Sequence, residues 1–344
     1  MTLARVVYCA APDLATESVQ IPASENMRSN EIATTTKSTN MYNGPGTQYD
    51  KLESDLGAGD IFTVRAPLAD GYYQVYNTYA AQIGYLSADA VQVKQVSQLF
   101  VPDLYWKDAG GKGDAHWDQL WADARYFGAI LKATQGVSLP PAETDWFAYN
   151  WDLLYRIGGS DYGVSWFRGC YHFLDLSSGH ASGEDQASYF ISIVNAAGGL
   201  KDGDLPPIVD VELGGSNANS DINDIVDTAT AWSNKVQDAL GRKPMLYRSD
   251  TSSGPATTDH MGCAYLWAKR YNSVLNDSKY NIEQIGWSEA AMWQYTDGDS
   301  NYTSYPKSAP GIGANDTSVF LYGNGTLGDV RALIQDSKVK ARRK

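Results

Sequence analysis

The sequence is short of cysteine, of histidine and of positive charge. Its 344 residues include three Cys and four His, with 27 Lys and Arg against 40 Asp and Glu, a formal net charge of −13. Three cysteines, Cys9, Cys170 and Cys263, do not make a disulfide framework. Cys170 and Cys263 lie in or beside apolar runs, which suits buried free thiols. His116, His172, His180 and His260 are scattered, with no zinc-ligand spacing, so no metal and no other cofactor is expected. The deficit of positive charge argues against nucleic acid as a partner, since phosphate is met by a basic face. No apolar run approaches the roughly 20 residues of a membrane span, so no membrane insertion is expected. A secretory leader is also missing: only Arg5 precedes the short run Val6 to Ala11, and Asp13 and Glu17 follow at once. The chain then leaves the cell by another route, as a phage lysin does, or is secreted and has lost its leader.

What is abundant is glycine, with 32 residues, and aromatic side chains, with 23 Tyr and 10 Trp. The length suits about two domains. Residues 1–33 are polar and irregular and read as an N-terminal extension or an extra edge strand. Residues 34–97 show short strands broken by turn residues, among them Asn43-Gly44-Pro45-Gly46 and Leu56-Gly57-Ala58-Gly59-Asp60. No helical period appears there, which predicts a small all-β barrel. From residue 98 to 344 the pattern changes to apolar strands alternating with amphipathic stretches. Strands are expected at Val101 to Trp106, Gly128 to Lys132, Trp166 to Leu174, Pro207 to Glu212, Pro244 to Tyr247, Tyr265 to Arg270 and Ala291 to Tyr295. Helices are expected at Trp117 to Arg125, Glu143 to Ile157, Glu184 to Ala197 and Ile222 to Leu240. Strand followed by helix, repeated, predicts α/β architecture: a TIM-like (β/α) barrel with incomplete helices in its last part, where the connections are short.

In such barrels chemistry sits at the C-terminal ends of the strands. There the segment Ile208-Val209-Asp210-Val211-Glu212 places two carboxyls on one face, about 6.6 Å apart along the backbone. Glycosidic cleavage needs such a pair: one carboxyl to protonate the leaving oxygen, a second to stabilise positive charge or activate a nucleophile. Asp210 would also raise the pKa of Glu212 by like-charge repulsion. An isolated Asp-x-Glu is more often a structural pair at a strand end than a catalytic one.

The surrounding motifs reverse that weighting. In order along the chain come Asp103, Ile130-Leu131-Lys132-Ala133-Thr134-Gln135-Gly136, Gly169-Cys170-Tyr171-His172-Phe173, Gln186-Ala187-Ser188-Tyr189-Phe190, Asp210-Val211-Glu212, Leu266-Trp267-Ala268, Met292-Trp293-Gln294-Tyr295, and Gly311-Ile312-Gly313-Ala314-Asn315-Asp316. This set resembles glycoside hydrolase family 25, the muramidases called Chalaropsis-type lysozymes, over about two-thirds of the chain. The resemblance implies an N-acetylmuramidase that hydrolyses the β-1,4 bond between N-acetylmuramic acid and N-acetylglucosamine in bacterial peptidoglycan. It implies Glu212 as general acid and Asp210 as the partner that orients or charges the substrate's N-acetyl group. Asp103 and Asp316 resemble the further acidic residues of the pocket, and Tyr171 and Trp293 its aromatic walls. Core packing is the competing reading for both aromatics. Lys132 ends a predicted strand and is a candidate to balance the acidic cluster. His172 is read as structural.

Two departures from the family pattern stand out. Asp103-Leu104-Tyr105 replaces the usual Asp-x-Ser, and Gln135 replaces a Glu. A direct retaining mechanism wants carboxyls about 5–5.5 Å apart and an inverting one about 6.5–9.5 Å. A strand-neighbour pair falls between or near the longer range, and retention by substrate assistance, with the 2-acetamido oxygen attacking the anomeric carbon, is the favoured route. The alternatives are a non-catalytic peptidoglycan-binding barrel and a chitinase-like glycosidase, whose longer acidic run is missing here.

Residues 34–97 resemble bacterial SH3 (SH3b) domains. The match lies in Met41-Tyr42-Asn43-Gly44-Pro45-Gly46-Thr47-Gln48-Tyr49, the Gly57/Gly59 turn, Gly71-Tyr72-Tyr73-Gln74-Val75 and Ile83-Gly84-Tyr85-Leu86. That resemblance implies a module that holds cell-wall peptide or glycan, with a plain spacer as the competing reading. Together the two resemblances imply action on the cell wall. Oligomeric state is not legible.

Overall fold

The computed structural model describes residues 30–77, 80, 82–108, 114–214, 217–249, 255–271, 275, 282–300 and 303–339. Most of the expected N-terminal extension, Cys9 and residues 340–344 lie outside the described residues.

The first unit is a seven-stranded antiparallel sheet. Its strands are β1 (Glu31–Thr35), β2 (Thr39–Tyr42), β3 (Lys51–Leu56), β4 (Ile61–Ala69), β5 (Tyr72–Asn77), β6 (Gln82–Ser87) and β7 (Val91–Gln95). They lie in the order β3-β2-β6-β5-β4-β1-β7, which does not close on itself. The boundary expected after residue 33 falls inside β1, which pairs with both β4 and β7. The expected extension therefore contributes a strand to this sheet. The β4–β5 hairpin turns on Asp70 and Gly71, both with positive φ (51° and 79°). Two such residues make the tight turn whose twist matches the flanking strands, and Asp-Gly is a preferred pair for it. Ala33, Met41, Leu56, Phe62, Val64, Val75 and Leu86 form the sheet's own core.

The second unit is an eight-stranded closed barrel in a mixed α/β fold. Its elements are β8 (Phe100–Leu104), α1 (Trp117–Ala122), β9 (Gly128–Gln135), α2 (Pro141–Gly158), β10 (Phe167–Phe173), α3 (Gly183–Ala196), β11 (Ile208–Val211), α4 (Ile222–Leu240), β12 (Met245–Ser249), β13 (Tyr265–Lys269) and β14 (Met292–Asp297). A small hairpin, β15 (Ser308–Ala309) with β16 (Gly313–Ala314), precedes β17 (Asp316–Phe320) and the last helix, α5 (Leu327–Ser337). Strands β8 to β14 run parallel around the barrel, and β17 closes it antiparallel to both β14 and β8. A barrel of the fully parallel kind would carry eight parallel strands.

The helices start and stop where the local chemistry directs. Asp221 caps α4 by accepting from the Asn223 amide, and Gly241 ends it with φ of 64°. Ser182 caps α3 through the Asp185 amide. Among the described residues no α-helix follows β12 or β13, and only a single helical turn, Ile282–Ile285, lies before β14.

Strand alternation divides the side chains. Inward, Val101, Ile130, Phe167, Ile208, Met245, Trp267, Met292 and Phe320 plug the lower barrel. Outward, Leu131, Cys170, Val209, Val211 and Leu246 meet the helices, where Trp146, Trp151, Phe190 and Trp232 are buried. Cys170 and Cys263 are buried free thiols, and burial pushes both up to about 12.

The two units share a packed junction. Tyr76 of β5 belongs to the same apolar cluster as Trp117 and Trp121 of α1. The Ala124 amide donates to Thr63 Oγ1 at 2.9 Å, and the Arg65 guanidinium lies 5.1 Å from the centre of the Trp121 ring.

Candidate functional site

A cleft of about 300 Å³ opens where the parallel strands end. The strands deliver inward side chains to it: Asp103 from β8, Lys132 from β9, Tyr171 and Phe173 from β10, Asp210 and the following Glu212 from β11, Tyr247 from β12, Lys269 from β13 and Gln294 from β14. Antiparallel β17 supplies Asp316 from its first residue, and Tyr105 and Trp267 complete the lining. Of the residues expected from sequence, Asp103, Lys132, Tyr171, Asp210, Glu212 and Asp316 are thus brought together.

Trp293 is not among them. It follows Met292 and precedes Gln294, both inward, so the strand alternation turns it out of the barrel. Its ring packs edge-on against Tyr295 and Tyr305, and its Nε1 donates to the Arg270 carbonyl at 2.9 Å. The expected aromatic wall at Trp293 is corrected to a packing role, and Gln294 takes the place in the cleft.

The acidic residues sit in contrasting surroundings. Glu212 Oε1 accepts from Lys269 Nζ at 2.7 Å, and the Tyr247 hydroxyl reaches it at 3.3 Å. Asp210 is 8% exposed, and its Oδ1 has no hydrogen-bond partner in the protein. Burial, reinforced by the Glu212 charge, pushes the Asp210 carboxyl well above the usual range. The sequence-based expectation is that Asp210 raises Glu212; the raised carboxyl here is Asp210 itself. Asp103 is raised in the same way, by burial and by Asp316. Asp316 is raised to about 7 by burial, then by the charges of Asp108, Asp297 and Glu212, against the pull of Lys269.

An amide anchors this cluster. Gln294 Nε2 donates to both oxygens of Asp103 at 3.0 Å, which fixes the amide's orientation. Its Oε1 then accepts from the Tyr247 and Tyr271 hydroxyls, each at 2.7 Å. Lys132 lies opposite, donating to Gln135 Oε1 at 2.6 Å with its ammonium 5.0 Å from the Phe173 ring centre. Burial lowers Lys132, while Asp210 and its acidic neighbours support its charge. With Gln in place of a carboxylate at 135, this contact is a hydrogen bond to a neutral amide.

His172 stays outside the cleft. It is fully buried, stacks on Trp232, and holds Thr134 Oγ1 at 2.8 Å and Gln186 Oε1 at 3.1 Å. Burial drives it down to about 3, so it remains neutral and structural. Sequence reasoning missed Tyr247, Lys269 and Gln294 as site residues. Their signal was register: each stands at an inward position near the end of a strand already recognised. Among the described residues, no group of three or more His, Cys, Asp or Glu side chains is arranged to hold a metal ion.

A closed, mostly parallel barrel with paired carboxyls at its mouth and aromatic walls defines the class of barrel glycosidases. The family model for glycosyl hydrolases family 25 matches residues 111–302, more than half of the chain. The protein belongs to that family and is a glycoside hydrolase. Solved structures agree in fold. A lysozyme from Streptomyces coelicolor is 20% identical with a TM-score of 0.53, covering 71% of this chain and all of that one. Muramidases from Trichobolus zukalii and Acremonium alcalophilum are 20% and 21% identical, each with a TM-score of 0.51 and covering 69% of this chain and 99% of their own. No curated protein sequence matches the chain.

Proposed function

We propose that this hydrolase is an N-acetylmuramidase, a lysozyme that cuts the β-1,4 bond after N-acetylmuramic acid in bacterial peptidoglycan. The observation that carries the reading is Asp210: a nearly buried carboxyl in the cleft, two residues before Glu212, with an oxygen left without a partner. Buried polar atoms are normally satisfied. The N–H of a 2-acetamido group is a donor of the right kind to complete Asp210. Held so, the acetamido oxygen attacks the anomeric carbon as the glycosidic C–O bond breaks. Asp210 stabilises the positive charge on the acetamido nitrogen of the resulting oxazolinium ring, and water then opens that ring at the anomeric carbon. Glu212, more exposed and on the same face, protonates the leaving oxygen. The fold likeness to muramidases and a lysozyme supports this substrate.

Asp103 and Asp316 hold sugar hydroxyls, Tyr171 offers a ring face to a pyranose, and Lys132 balances the cluster. The barrel is a TIM-type variant with one reversed strand. The sheet from Glu31 to Gln95 is an SH3b-like module that adds wall affinity to the 98–344 catalytic unit, so the protein acts on the cell wall. Mass spectrometry of fragments released from purified peptidoglycan tests the activity. Muropeptides ending in reducing N-acetylmuramic acid are the expected product. Reducing N-acetylglucosamine ends, or no release, would overturn the proposal.

A further inference from the structure

Gln294 is an uncharged side chain set among acids. It stands at an inward position of β14 and is 1% exposed. Its Nε2 lies 3.0 Å from both oxygens of Asp103, so the donor straddles the carboxyl. A donor placed between two carboxyl oxygens engages the lone pairs facing it and leaves the outer ones for another donor. On the other end, Gln294 Oε1 accepts from the hydroxyls of Tyr247 and Tyr271, each at 2.7 Å. A phenol has a single hydrogen to give. The Tyr247 hydrogen is therefore committed to Gln294, and the approach of the same hydroxyl to Glu212 is the longer one, 3.3 Å. The backbone holds the amide in register. The Gln294 carbonyl accepts the Arg270 amide at 2.9 Å, and Trp293 Nε1 donates to the Arg270 carbonyl at 2.9 Å, which seats Tyr271 beside Gln294.

The hydrogen bonds thus run one way. Two tyrosines donate to the amide, and the amide donates to Asp103. What Asp103 and Tyr247 have left to offer the cleft is acceptors, and a sugar presents hydroxyl and acetamido N–H donors. We propose that Gln294 is a positioning residue for sugar binding, which orients the Asp103 carboxyl and the Tyr247 hydroxyl so that both meet the glycan as acceptors. It acts through these two side chains. The inference rests on the proposed reading in which Asp103 holds sugar hydroxyls. It assigns a use to a residue that neither the family resemblance nor the strand-end carboxyl argument called for, and it explains why an amide occupies this place. A carboxylate there could not donate to Asp103, and an apolar side chain would leave a buried carboxyl and two hydroxyls without their partner.

The test measures kcat and KM for full-length wild type, Gln294→Met, Asp103→Ala and the double variant on soluble, peptide-free glycan fragments. A buried hydrogen bond to a carboxyl corresponds to about tenfold or more in an equilibrium constant. Gln294→Met should therefore raise KM by about tenfold and leave kcat within a few-fold, because the lost contacts serve ground state and transition state alike. A merely structural defect would instead lower kcat with the folded fraction and leave KM in place. In the double variant the rise in KM should fall well short of the product of the two single effects, since both changes break one contact. A folded Gln294→Met with wild-type KM overturns the proposal, and so does a double variant whose KM effect equals that product. Where Gln294→Met does not fold, the wild-type protein supplies the readout. The nitrogen-15 signal of the Gln294 side-chain amide should move when a disaccharide of N-acetylglucosamine and N-acetylmuramic acid is added to saturation, and a signal that stays still overturns the proposal. Asp103→Ala with wild-type KM overturns the reading of Asp103 on which the inference rests. An impaired Asp103→Ala beside an unimpaired Gln294→Met overturns the role of Gln294 alone.

Discussion

Asp316→Asn should stabilise the protein at neutral pH and leave its stability nearly unchanged at pH 4. The Asp316 carboxyl is raised from its ordinary 3.8 to about 7, first by burial and then by Asp108, Asp297 and Glu212. A folded-state value above the unfolded one means the folded chain binds more protons between those limits. Stability then falls as pH rises from about 4 to about 7, because folding holds a proton that the medium withdraws. Three pH units at about 1.4 kcal/mol each give an upper bound of about 4 kcal/mol at neutral pH. Asp316 is partly open to solvent, and screening leaves on the order of 2 kcal/mol. Asparagine keeps the shape and removes the titration. For a domain of this size that is a rise in Tm of about 4–8 °C at pH 7.5. Thermal unfolding followed by circular dichroism at pH 4 and pH 7.5 measures it. Equal Tm changes at both pH values would refute the reasoning, since a packing effect has no reason to track protons. Asp103 and Asp210 push the pH slope in the same direction.

Glu212→Gln should lower kcat by roughly 10²–10⁴-fold or more while the protein still folds and retains glycan, read by steady-state kinetics and pull-down. Asp210→Asn should reduce kcat far more than it changes KM, because its charge is used on the way to the transition state; a KM effect alone would make it a plain binding residue. Trp293→Ala should cost about 3–5 kcal/mol of stability in denaturant titrations, with KM for soluble fragments little changed, since the ring packs outside the barrel. Removing residues 1–97 should weaken pull-down on intact sacculi. It should also lower the barrel's Tm, because it strips Thr63, Arg65 and Tyr76 from Trp121 and Ala124.

The barrel was legible because its strands are continuous apolar runs, buried on both faces, and its helices have one apolar stripe. All seven expected strands and four expected helices of the second unit occur within a few residues of where the pattern put them. The eighth strand, Asp316–Phe320, escaped because Asp-Thr-Ser-Val-Phe is short and mostly polar. Its inward Ser318 accepts the Trp267 indole N–H at 2.8 Å, a contact between sequence-distant residues. Trp293 was misread because an aromatic beside a site motif looks the same whether it faces in or out. Only the register of β14 against β17, Trp293 with Val319 and Gln294 with Ser318, decides the face.

Charge is where sequence and site part furthest. Asp103, Asp210, Glu212 and Asp316 read on paper as four negative charges in one cleft. Folding buries them to different depths and gives them different partners. Glu212 receives a lysine, Asp103 receives the two-pronged Gln294 amide, and Asp210 receives nothing from the protein on one oxygen. Burial and mutual repulsion make Asp103, Asp210 and Asp316 retain protons above the ordinary carboxylate range. In the proposed reaction the unsatisfied Asp210 oxygen takes its donor from the substrate, while Glu212 is held on one oxygen by Lys269. Residue types name the candidates; the distribution of donors and cations among them, set by strand register, assigns the parts.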